Sequence, residues 1–216
     1  MKYLGRIAVV AMLPLLAGCF NFVQSLSVAK DGEVTMVTEL SIATEMMALA
    51  FAEDDGEEFC PAAQDEELPP TFTMTYEEFV RDEDTVCSVT AVGPIQDLAE
   101  AIATGTLFPG DDGDDEGAPD ITLVDEGGGE FTYSLMFSSQ GDPEADPDEA
   151  AMMAMMASLL EGRVLTWSVT APRLLSVNDE ADNVTVDGDT ATLVIPALDL
   201  VTAVGVDYAL TVRFRL

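Results

Sequence analysis

The sequence predicts an α+β domain: an antiparallel sheet built of hairpins, with about three short helices packed on it. Three observations predict it. Asp-Gly and Gly-rich turns recur between alternating segments. Helix start and stop signals bracket three apolar runs. No regular strand-helix-strand alternation marks a parallel sheet. With 216 residues and 48% hydrophobic side chains, the chain has the material for a sizeable core.

Taken in order, Leu26, Val28 and Val34, Met36 flank Lys30-Asp31-Gly32-Glu33, the first hairpin. Thr44 reads as a helix N-cap, with Met46, Met47, Leu49, Ala50 and Phe51 as a short apolar helix. Residues 53–67 hold eight acids and Cys60 and read as a loop. Residues 72–76 alternate like a strand, and residues 86–92 read as another. Pro94 opens a second helix, whose face is Ile95, Leu98, Ala99 and Ile102 and whose stop is Gly105. Residues 109–120 carry six acids and form a solvated loop. Residues 121–124 and 131–137 flank Gly127-Gly128-Gly129 as a hairpin. Asp146 caps a third helix, Pro147 sits at its first position and Gly162 ends it. Residues 163–170 form a strand, and residues 184–186 and 190–194 pair across Asp187-Gly188. In the last strand Val206, Tyr208, Leu210, Val212, Phe214 and Leu216 share one face; Asp207, Thr211, Arg213 and Arg215 share the other.

The N-terminus reads as an address. Lys2 and Arg6 flank a short basic region, and residues 7–16 are an apolar run too short to span a bilayer as a mature helix. The run closes on Leu16-Ala17-Gly18-Cys19, which resembles the lipobox of bacterial lipoproteins. The resemblance implies that residues 1–18 are a signal peptide, that the Cys19 thiol carries acyl chains such as palmitate, and that residues 19–216 are one acidic domain outside the cytoplasm. Residue 20 is Phe rather than Asp, which in a Gram-negative cell implies the periplasmic side of the outer membrane. With Cys19 lipidated, Cys60 and Cys87 remain and most simply pair in an oxidising compartment.

Charge and composition exclude several functions. There are 41 Asp and Glu against 8 Lys and Arg, and no histidine. Imidazole-based catalysis and His-ligated zinc are thereby removed. Nucleic-acid binding needs a basic surface that the chain does not have. The acids suit solvation in salty surroundings. Asp112, Asp114 and Glu116-Gly117 open like a calcium loop, but its twelfth position is Leu123 and Pro119 interrupts it, so no metal site is assigned. No cofactor motif is present either.

Methionine is the second anomaly. Met46, Met47, Met152, Met153, Met155 and Met156 lie in two predicted helices, as core packing or as the adaptable wall of a site for an acyl chain or a partner. Thioether ligation of copper is the rarer use of such spacing. Arg213 and Arg215 share a strand face that either points to the membrane or pairs with neighbouring acids. The tether from Cys19 to the first strand is at most about 20 Å at ~3.3–3.6 Å per residue, which keeps the domain near the headgroups.

The C-terminal stretch Val164 to Val169, followed by Pro172, Asn178, Asp187-Gly188 and residues 190–195, is similar to the layout of LppM-like envelope lipoproteins. In that family a lipidated cysteine leads directly into an α+β domain. The resemblance implies envelope lipid or glycolipid handling and carries over no site residues. The function expected is therefore a non-catalytic binding or accessory module for a lipid, another apolar ligand or a protein. The alternatives are a carboxylate-based hydrolase of envelope polymers and a cation-binding structural surface protein.

Overall fold

A computed structural model describes residues 20–44, 59–60, 70–104, 119–140, 160–178 and 182–216. Eleven strands and two helices fall in these segments. They are β1 (Phe20–Val28), β2 (Glu33–Ala43), β3 (Thr73–Arg81), β4 (Asp84–Pro94), α1 (Ile95–Ala103), β5 (Asp120–Gly127), β6 (Glu130–Gln140), β7 (Val164–Thr170), β8 (Leu174–Val177), β9 (Val184–Asp187), β10 (Thr190–Pro196), α2 (Ala197–Thr202) and β11 (Val204–Arg215).

The strands form two sheets. The larger has the order β3-β4-β2-β1-β7-β10-β9 and the smaller β5-β6-β11-β8. This corrects the expected α+β class. The described residues are mostly β, with two packed sheets in place of one, and they contain two helices rather than three. The physical reason is that the alternating segments bury their apolar faces against each other. The large sheet contributes Leu26, Val28, Val34, Leu165, Trp167, Val169, Leu193 and Ile195. The small sheet contributes Leu123, Phe131, Tyr133, Leu135, Tyr208, Leu210, Val212 and Phe214, and all belong to one core. Among the described residues helix is confined to two short stretches, α1 of nine residues and α2 of six. The helix expected from Pro94 is α1; α2 was not expected. The helices expected after Thr44 and after Asp146 lie outside the described residues.

Turn chemistry sets the hairpins. Gly32 closes the β1–β2 turn at φ +85°, and its carbonyl accepts from Ile95 N at 2.9 Å. Gly93 has a different reason to be glycine: a Cβ there would stand 2.8 Å from the Phe72 ring. Gly127, Gly128 and Gly129 all have positive φ in the β5–β6 turn, a conformation that other residues adopt at a cost.

Pairing across the long axis of the sequence joins the halves. β1 lies parallel to β7, with Phe22 opposite Leu165 and Gln24 opposite Trp167. The other pairings in both sheets are antiparallel. At the start of β1, Asn21 Oδ1 accepts from Val164 N at 3.1 Å, and Arg163 pairs with Asp84 at 2.8 Å. At the far end, Leu216 N donates to Gly129 O at 3.0 Å, and Leu216 lies beside Gly32.

Candidate functional site

The two sheets and α1 leave a small cavity lined by Gln24, Leu26, Met36, Leu98, Ile102, Ile121, Tyr133 and Ser168. Each contributor has a local cause. Gln24 and Leu26 are two apart on β1 and therefore share the inward face. Met36 lies opposite Leu26 on β2. Leu98 and Ile102, four apart on α1, share one helix face. Tyr133 is flanked on β6 by Phe131 and Leu135, all three buried.

The chemistry of this space is apolar with three polar residues, Gln24, Tyr133 and Ser168. Gln24 is 6% exposed, and its Nε2 donates to the Met36 sulfur at 3.9 Å. The Tyr133 phenol makes no hydrogen bond to another described residue, and burial pushes its pKa well above the ordinary value near 10. The cavity measures about 10 Å³. That is the room one water needs, far less than the several hundred Å³ of a typical small-molecule site. Its lining holds no carboxylate, amine or thiol; its hydroxyl groups are those of Tyr133 and Ser168.

The Tyr133 shift has a measurable consequence. An acid whose folded pKa is raised above its unfolded value contributes stability below the unfolded pKa and loses it as pH rises toward the folded one. Stability should therefore fall above about pH 10. Tyr133→Phe should unfold less readily in that range than the parent chain, as read by circular dichroism against pH. Equal alkaline sensitivity would remove Tyr133 as the cause. Tyr208 is pushed up in the same direction, by burial and then by Asp199, so some sensitivity should persist.

Beside the cavity an aromatic group fills the space between the sheets. Trp167 packs on Phe22 at 5.4 Å and Phe137 at 6.2 Å between ring centroids. Its Nε1 is buried without a hydrogen-bond partner among the described residues.

The residues singled out in the sequence fall elsewhere. Cys60 and Cys87 are disulfide-bonded, with Cα atoms 5.1 Å apart. Arg213 and Arg215 both pair with Glu130, Arg213 at 2.6 Å. They stand at the Leu216 end of the sandwich, next to the β1–β2 turn. Phe20 is at the other end of the nine-residue β1, about 26 Å away at ~3.3 Å per residue. Cys19 and Met46, Met47, Met152, Met153, Met155 and Met156 lie outside the described residues. Among the described residues, no group of three or more His, Cys, Asp or Glu side chains is placed to hold a metal ion. No helix among them is long and apolar enough to cross a membrane.

Gln24 and Tyr133 were not singled out from the sequence. The available signal was a lone amide at an inward position in Phe22-Val23-Gln24-Ser25-Leu26. Tyr133 gives no such signal, because a tyrosine on an apolar strand face reads as ordinary core.

No family model matches the chain, and no curated protein matches it. Among solved structures, it is similar to the folded domain of LppM from Mycobacterium tuberculosis, determined by NMR. The two are 12% identical with a TM-score of 0.49, over 91% of this chain and 90% of that one. That protein gives its name to the family that the C-terminal motifs resemble; a likeness of this size assigns neither an activity nor a ligand.

Proposed function

We propose that the chain is a lipid-anchored module of the cell envelope that binds, without transforming, an apolar ligand taken up between the sheets beneath α1. The cavity carries the reading. Its walls are Leu26, Met36, Leu98, Ile102 and Ile121, and Gln24 and Tyr133 supply polar groups to orient a ligand head. The address supports it: β1 begins at Phe20, directly after the cysteine of Leu16-Ala17-Gly18-Cys19. A fold that starts at the anchor stays beside the source of apolar ligands.

Uptake requires α1 to move, because the closed cavity holds about one water. The energetics permit it. α1 is nine residues long, has no side-chain cap at its start, and buries Ile95, Leu98 and Ala101. Exposing the two larger side chains costs roughly 3–6 kcal/mol, and each buried methylene of a ligand returns about 0.8 kcal/mol. Some eight methylenes would offset the opening.

The test uses cis-parinaric acid, a fluorescent 18-carbon fatty acid, with a Cys19→Ala form lacking residues 1–18. Saturable fluorescence enhancement is expected. Ile102→Trp, which fills the mouth from a half-buried position, should weaken it about tenfold, a loss of about 1.4 kcal/mol, with the melting temperature unchanged. No saturable signal, or one indifferent to Ile102→Trp, contradicts the reading.

A further inference from the structure

Sheet edges present unpaired backbone groups, and proteins usually blunt them. Of the four edges among the described strands, two are short: β8 and β9 have four residues each. A third, β5, has an irregular register near Gly127 and packs against α1. The fourth, β3, is nine residues long with the sequence Thr-Met-Thr-Tyr-Glu-Glu-Phe-Val-Arg. It contains no proline, glycine or lysine, and its pairing with β4 is regular throughout. Its last five residues are exposed on both faces; Phe79 is 37% and Val80 65% exposed.

We propose that β3 is an interaction surface for a second copy of this chain, pairing antiparallel with its own counterpart about a two-fold axis at Phe79. The register follows from symmetry and charge. Two identical antiparallel edge strands that continue one sheet are related by an axis perpendicular to it. Opposed residues then share a face, so a residue must lie on the axis. With the axis inside the exposed stretch 77–81, centring on Glu77, Glu78 or Arg81 sets that charge against its own copy. Centring on Val80 sets Glu78 against Asp82. Centring on Phe79 sets Arg81 of each copy opposite Glu77 of the other, with Phe79 against its mate. Cross-strand pairs of both kinds are stabilising, and like charges are not. Arg81 is half exposed, pairs with Glu39 of its own sheet at 2.6 Å and lies 5.3 Å from the centre of the Phe79 ring, so the contact has it turn from Glu39 to the facing Glu77. The pairing joins two seven-stranded sheets at the point where an acidic protein meets its copy with unlike charges opposed.

The test is oxidative cross-linking of the full chain in native membranes, read on non-reducing gels. Phe79→Cys places a thiol on the axis, opposite its mate. Thr75→Cys, on the same face, leaves its mate about 26 Å away at ~3.3 Å per residue. A dimer band at least about fivefold stronger for Phe79→Cys is expected. Arg81→Glu in that background should reduce it, and adding Glu77→Arg should restore it. Equal bands for the two cysteines, no response to the charge changes, or a band at the mass of a different partner would overturn the proposal.

Discussion

Phe214→Ala should be among the most damaging single substitutions, lowering the unfolding free energy by about 3–5 kcal/mol. Phe214 is fully buried on β11, the strand between β6 and β8, and its ring stacks on Phe131 with centroids 5.8 Å apart. Truncation opens a void where the small sheet meets the core, and the strands on either side restrict collapse into it. Domains are stable by only about 5–15 kcal/mol, so the variant should retain a small margin. For a chain of this size the loss corresponds to a fall in melting temperature on the order of 10 °C. Val194→Ala, on the outer face of β10, should cost within about 0.5 kcal/mol. Differential scanning calorimetry of both variants checks the contrast. Similar melting temperatures would mean that the two sheets do not share the core described above.

The disulfide should produce an effect of comparable size by a different route. Cys60 and Cys87 are separated by 27 positions, and closing such a loop restricts the unfolded chain by roughly 3.5 kcal/mol on the loop-entropy account. Cys87→Ser should lower the midpoint of urea unfolding accordingly and leave the fold intact, because Cys87 sits within the regular β2–β4–β3 pairing. In the parent chain both thiols should react with a thiol reagent only after reduction in denaturant. One or two thiols titrating without reductant would contradict the bond.

Much of the local structure was legible in the sequence. Asp31-Gly32 and Asp187-Gly188 marked hairpins that form where expected, and three successive glycines marked the turn between β5 and β6. Pro94 opened a helix whose buried residues are Ile95, Leu98 and Ala101. The last strand showed its faces plainly: Tyr208, Leu210, Val212 and Phe214 are buried, while Arg213 and Arg215 are not. Val206 departs from that pattern, since the strand begins beyond the core and leaves it exposed.

What could not be read is what partners each strand. Alternation in Val164–Thr170 says that Leu165, Trp167 and Val169 face a core; it does not say that the neighbour is Phe20–Val28, about 140 residues earlier. Nor does it say whether a helix layer or a second sheet covers that face, which is why the expected class was wrong. The cavity was illegible for the same reason. Its lining comes from β1, β2, α1, β5, β6 and β7, and no local pattern brings them together.

We propose a domain that works at a membrane surface, held by Cys19, the residue directly before β1. The mass of the N-terminal peptide of protein purified from membranes decides this. A mature chain beginning at Cys19 and carrying acyl groups is expected, with Cys19→Ala released from the detergent phase into the aqueous phase. An unmodified cysteine, a chain beginning elsewhere, or a Cys19→Ala form that stays with the membrane would contradict it.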